Sequence, residues 1–119
     1  ATRRAVKAWG LETICRDPKY YSPTLTATLL PEGHNADAFR ALALETFNIS
    51  YGSSFGAFAG RYFRIGHLGD INDAMLLGAL SATEMTLALA GVPHKKGGVQ
   101  AAMDYLVSAH SSAAKQAAE

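Results

Sequence analysis

Thr24-Leu25-Thr26-Ala27-Thr28-Leu29 alternates a hydroxylated side chain with an apolar one at every step. Successive side chains of a strand point to opposite faces, so this period-two run predicts a half-buried β-strand with one hydroxylated and one apolar face. Pro31 and Gly33 end it. Further along, Arg61-Tyr62-Phe63-Arg64-Ile65-Gly66 predicts an internal strand in which Phe63 and Ile65 point one way and Tyr62 and Arg64 the other. Leu11 to Cys15 and Ile49 to Tyr51 predict two shorter strands, and Pro18 and Pro23 mark the loop after the first of them.

Helical signals alternate with these runs. Thr2 to Trp9 starts without a convincing cap and is closed by Gly10, as if the chain began inside an element. Asn35 is a suitable cap for a helix through Phe47, where Phe39, Leu42, Ala43 and Phe47 form one apolar stripe. Asp70, with Asp73 three residues on, predicts the start of a long helix through Ala90, closed by Gly91 and Pro93. That helix is apolar nearly all round, with a thin flank at Gly78, Ala79, Ser81 and Ala82, and is expected to lie between layers. A last helix runs from about Gly98 to Ala114 and frays into the polar tail from Ser111 to Glu119. Runs of strands and helices in this order predict an α+β fold of two layers, a short, largely antiparallel sheet covered by helices.

Composition narrows the function classes. In 119 residues, 11 basic and 10 acidic side chains leave a net charge of +1, and Lys and Arg form no stripe that would neutralise a run of phosphates. No nucleic-acid partner is expected. The lone cysteine, Cys15, cannot form an internal bridge, which fits a reduced, cytoplasmic setting. Ala74 to Val92 has membrane-like length, but Glu84 sits near its middle, where a charge costs ~2.5 to 3.5 kcal/mol even on a lenient insertion scale. It reads as a buried helix, and no membrane partner is expected.

Few residues point to chemistry. His34, His67, His94 and His110 match no metal-ligand spacing, so no metal is expected. The glycine-punctuated loop from Gly52 to Gly60 lacks the GxxxxGK[ST] order and precedes a strand where a phosphate cradle needs a helix. It reads as a connection that lies over a site. Arg64 stands out. A guanidinium on the less apolar side of an internal strand is costly unless an anion meets it, which leaves an ion pair with Asp70 or Asp73 or a bound carboxylate as its partners. A carboxylate fits the planar fork in a two-pronged way.

Arg64-Ile65-Gly66-His67-Leu68-Gly69-Asp70-Ile71-Asn72, Leu76 to Leu80 and Ala90-Gly91-Val92-Pro93-His94 together resemble the carboxy-terminal region of class V pyridoxal-phosphate aminotransferases. Ala8 to Leu11, Tyr21-Ser22-Pro23, Pro31-Glu32-Gly33 and Lys96 to Ala102 fall in the same order, so the likeness spans nearly the whole chain and is strongest to the serine–glyoxylate members. The resemblance implies that residues 1–119 are one domain, the small C-terminal domain of a fold-type I enzyme, and that the large domain carrying pyridoxal 5'-phosphate is absent. It places the Schiff-base lysine, the aspartate on the pyridine nitrogen and the phosphate-binding groups in that large domain. None of Lys7, Lys19, Lys95, Lys96 or Lys115 lies in a matching motif.

No catalytic or cofactor-binding residue is therefore expected in this chain. The family's strand arginine, which grips the substrate α-carboxylate, matches Arg64, while His67 and Ser54 fall at the edge of the site. Ser54 stands where a further glycine is frequent and Ala57 where a lysine often stands. The implied reaction moves the amino group of L-serine to glyoxylate, giving hydroxypyruvate and glycine, in a homodimer whose partners are its own large domain, small amino acids and 2-oxo acids. Alanine as donor is the alternative within the class. Outside it stands a non-catalytic module that binds a small carboxylate or a protein partner. The chain alone is expected to be inactive.

Overall fold

The computed structural model describes residues 1–14, 25–54, 59–66 and 72–118. Seven elements follow in the order α1 (Thr2–Ala8), β1 (Glu12–Thr13), β2 (Leu25–Leu29), α2 (Ala36–Phe47), β3 (Tyr62–Gly66), α3 (Asp73–Leu89) and α4 (Gly98–Ala118). The strands form one antiparallel sheet in the order β1-β2-β3, which with the helices makes the α+β fold read from the chain.

The register of β2 against β3 decides which face is the core. Thr26 pairs with Ile65 and Thr28 with Phe63, whereas Ala27 pairs with Arg64 and Leu29 with Tyr62. Paired residues share a face, so the threonines lie with Phe63 and Ile65, and all four are buried. The hydroxylated face of β2 is thus the inner one. Threonine is β-branched and fills a pleated surface as valine does, and the bulk of Phe63 and Ile65 draws its face inward. Thr28 Oγ1 has no hydrogen-bond partner among the described residues. On the other face Tyr62 is buried too, Arg64 is half-buried and Gly66 is exposed, so that face is less open than its polar content suggests.

Helix α2 carries Phe39 onto the core face, where its ring stacks on Phe63 with centroids 4.7 Å apart, and Tyr51 completes the cluster at 4.9 Å from Phe63. The Asn35 cap holds as read, its side chain accepting from the Ala38 amide at 3.0 Å. Two expected strand assignments shrink. Only Glu12 and Thr13 pair in the first, with Leu29 and Thr28, because the Leu11 amide closes α1 on Val6 O. Cys15 lies outside the described residues. No strand forms from Ile49 to Tyr51: Asn48 is left-handed at φ 56° and the Ile49 amide returns to Ala43 O, so the chain is still leaving α2. The sheet contact shifts to Gly52, which bridges Arg64.

Asn72, rather than Asp70, caps α3, accepting from the Met75 amide at 2.8 Å. Asp73 is already helical, where its charge suits the positive end of the helix, and Asp70 lies outside the described residues. Among the described residues helix α3 is covered on one side: Leu80 and Leu87 are buried, while Met75, Met85 and Leu89 are exposed and a Cβ on Gly78 would meet no described atom within 4 Å. The expectation that it lies between layers is not met among the described residues. Helix α4 continues to Ala118 instead of fraying, since Ala, Lys and Gln are strong helix formers. No helix among the described residues is long and apolar enough to cross a membrane.

Glu84, half-buried in α3, fastens α1 to the start of α4. Its Oε1 accepts from the Trp9 indole Nε1–H at 2.7 Å and from the Gly97 and Gly98 amides at 3.1 Å each. The Lys95 amide donates to Trp9 O at 2.8 Å. Trp9 is fully buried and lies so close over Gly98 that a Cβ there would overlap the indole.

Candidate functional site

Arg64 is the third residue of β3, with Ala27 beside it on β2 and Gly52 on the opposite edge. Arg64 and Gly52 exchange both backbone hydrogen bonds, Gly52 N to Arg64 O at 2.9 Å and Arg64 N to Gly52 O at 3.0 Å. The side chain then folds along that edge, and Nε–H donates to Ser53 O at 2.9 Å. One bond to a fixed carbonyl sets the plane of the guanidinium, because its donors form a rigid fork. An end-on carboxylate would pair with the two Nη groups and would not compete with the Nε bond.

Sequence reasoning missed what holds Gly52 and Ser53 in place. Tyr51, the preceding residue, is buried, and its hydroxyl is 2.6 Å from Thr83 Oγ1 on α3. Burial pushes the Tyr51 phenol up to about 12, against the opposite pull of the Thr83 bond, so it stays protonated. Arg40 on α2 donates from Nε to Tyr51 O at 3.1 Å and pairs with Asp37 at 3.1 Å. Backbone, ring and hydroxyl of Tyr51 are thus each fixed by a different element. The only hint in the sequence is an aromatic with a polar tip directly before the glycine loop.

Ser54 stands at the base of that loop. Its Oγ accepts from the Gly60 amide at 2.6 Å, and Gly60 O accepts from the Ala36 amide at 2.8 Å, tying the loop ends to the start of α2. Ser54 is therefore brought near Arg64 through Ser53, in a bracing position. His67 and Ala57 lie outside the described residues. Of the two carboxylates weighed for Arg64, Asp73 is 2.7 Å from His110 Nε2, and Asp70 is outside the described residues. His94 Nδ1 is 2.8 Å from Val92 O. Among the described residues no three His, Cys, Asp or Glu side chains gather as a metal site. Lys7, Lys95 and Lys96 are exposed, so none offers an enclosed amine for an aldehyde cofactor, and the described residues do not fit pyridoxal phosphate. A cleft of about 560 Å³ lined by Arg3, Arg4, Lys7, Thr13 and Tyr105 lies between α1, β1 and α4 and does not include Arg64.

No protein-family model matches the chain. Among curated proteins it is 46% identical over 107 residues to the serine–glyoxylate aminotransferase of Methylorubrum extorquens, covering 89% of this chain and 27% of that one. It is 41% identical over 117 residues to the L-aspartate–glyoxylate aminotransferase of Paracoccus denitrificans, covering 98% of this chain and 30% of the relative. The crystal structure of pyridoxamine–pyruvate aminotransferase from Mesorhizobium loti superposes with a TM-score of 0.82 at 29% identity, over 90% of this chain and 28% of the other. The chain belongs to the class V aminotransferases. It corresponds to their C-terminal part and spans less than a third of the length of these relatives. Within this aminotransferase segment, the Arg64 edge is the described place where a fixed cation stands on the outer face of the sheet.

Proposed function

We propose that the intact protein carrying this segment is a pyridoxal-phosphate-dependent transaminase that moves the amino group of L-serine to glyoxylate, and that Arg64 binds the substrate carboxylate. The likeness to serine–glyoxylate aminotransferases at 46% identity carries the reaction, and the Nε–Ser53 bond that fixes the Arg64 fork supports its role. The cofactor, held by the rest of the intact protein, supplies the aldehyde and the electron sink. This segment contributes orientation. A carboxylate paired end-on with the Arg64 fork gains roughly 1.5 to 3 kcal/mol and is held so that the α-amino end faces one direction.

L-Aspartate is a second donor to weigh, because the aspartate–glyoxylate relative matches 98% of this chain. Assay of the intact enzyme with L-serine, L-aspartate and L-alanine, each with glyoxylate, separates these readings. The highest kcat/KM is expected with L-serine, and a preference for L-aspartate or L-alanine would replace the donor. Residues 1–119 alone are expected to form no hydroxypyruvate, and turnover by them would remove the need for a second domain. Arg64→Lys keeps the charge and loses the two-pronged fit, so kcat/KM is expected to fall about tenfold or more. An unchanged value would take Arg64 out of the site.

A further inference from the structure

The close contact between Gly52 and Arg64 goes further than the assignment of Arg64. In the pair that exchanges both backbone bonds, side chains stand on one face, so a side chain at position 52 would occupy the space beside that of Arg64. A Cβ on Gly52 would lie 2.8 Å from Arg64 Nε, 3.0 Å from its Cβ and 3.1 Å from its Cζ. All three nearest atoms belong to Arg64. Gly52 is not in the left-handed region, so its backbone conformation does not itself demand glycine. What excludes a methyl group is the arginine.

The segment cannot easily yield to such a methyl group, since Tyr51 is held by Arg40 on its carbonyl and by Thr83 on its hydroxyl. Arg64 has to move instead. Its Nε sits nearest the added atom and carries the bond to Ser53 O, so the displacement takes away the contact that sets the plane of the fork.

We propose that Gly52 is a positioning residue for substrate: its missing Cβ lets Arg64 fold onto the Ser53 carbonyl and so aims the guanidinium at the substrate carboxylate. This rests on the reading of Arg64 as the carboxylate ligand. The test is a double-mutant cycle in the intact enzyme, with Gly52→Ala, Arg64→Ala and the two together, assayed with L-serine and glyoxylate. Gly52→Ala is expected to raise KM for both substrates more than it lowers kcat, with kcat/KM falling between about tenfold and about 100-fold. The double variant is expected to come close to Arg64→Ala, because the guanidinium through which Gly52 acts is gone and only the 3.0 Å contact with the Cβ of residue 64 is kept. An unchanged kcat/KM for Gly52→Ala, or losses that multiply in the double variant, overturns the positioning role while leaving Arg64 in the site. An unchanged kcat/KM for Arg64→Ala overturns the underlying reading and this proposal with it. If Gly52→Ala yields no folded enzyme, the double variant decides: recovered folding locates the collision at the guanidinium, and continued failure overturns the proposal.

Discussion

Two glycines in this chain make room for a large side chain that donates from a ring or guanidinium nitrogen, and they do so for different ends. At Gly98 the fully buried Trp9 indole lies across the backbone and donates to Glu84, whose carboxylate also takes the amides of Gly97 and Gly98. The donor comes from within the core and its acceptor is half-buried, and the result is a joint between α1, α3 and α4. At Gly52 the half-buried Arg64 lies across the backbone and donates from Nε to a main-chain carbonyl. A cation of five donors is steadied there by a bond from Nε, at its inner end, to the Ser53 carbonyl. The same steric device locks a helix corner in one place and orients a charged group in the other.

The difference is sharpest in the response to a single methyl group. Gly98→Ala drives a Cβ into an indole that is enclosed on all sides, so the corner must open; a loss of about 3 kcal/mol, the upper end of ordinary overpacking, is expected in urea unfolding of the chain. Gly52→Ala meets a side chain that is only half-buried, so its cost is expected in substrate affinity instead. Equal losses of stability at the two glycines would erase the distinction.

Glu84 gives the second way to separate the regions. Burial pushes its carboxyl up, but the bonds from Trp9, Gly98 and Gly97 and the nearby His94 charge together bring it below the usual range. A carboxyl with a lowered folded pKa adds stability above its unfolded pKa, and loses that contribution as pH falls through the unfolded and then the folded value. Glu84→Gln is expected to cost about 1 to 2 kcal/mol at neutral pH, where charged acceptors are replaced by a neutral one. The gap between wild type and variant should close as pH falls below about 4.3. A gap constant from neutral pH to acid would show that the charge contributes nothing to the corner.

Local patterns made much of the fold legible, and distance hid the rest. The strand at Tyr62–Gly66, the Asn35 cap and the Gly10 and Gly91 helix ends all follow from neighbours within a few residues. The half-buried place of Arg64 on that strand was legible too, since a guanidinium there is costly wherever the strand lies. The role of Glu84 was not, because Trp9 stands 75 residues away and no spacing links them. Nor was the Gly52 contact: a glycine in a loop reads as a turn, and its closeness to Arg64 arises only once β3 pairs with that edge. The inner face of β2 was hidden for a similar reason, since alternation predicts two faces and only the register with Phe63 and Ile65 says which is buried.

That inner face holds the smallest test of how these regions differ. At both glycine contacts the donor has found an acceptor, whereas Thr28 Oγ1 is enclosed with no partner among the described residues. Thr26, on the same face, is not without a partner. Valine has nearly the shape of threonine and removes only the hydroxyl. Replacing an unpaired buried hydroxyl with a methyl group recovers its desolvation cost, so Thr28→Val is expected to stabilise the chain by about 1 kcal/mol, whereas Thr26→Val should destabilise it by about the same amount. Paired urea titrations read both signs. A loss at Thr28 would mean that its hydroxyl is satisfied, and the contrast between the two threonines, like that between the two glycines, would then rest on packing alone.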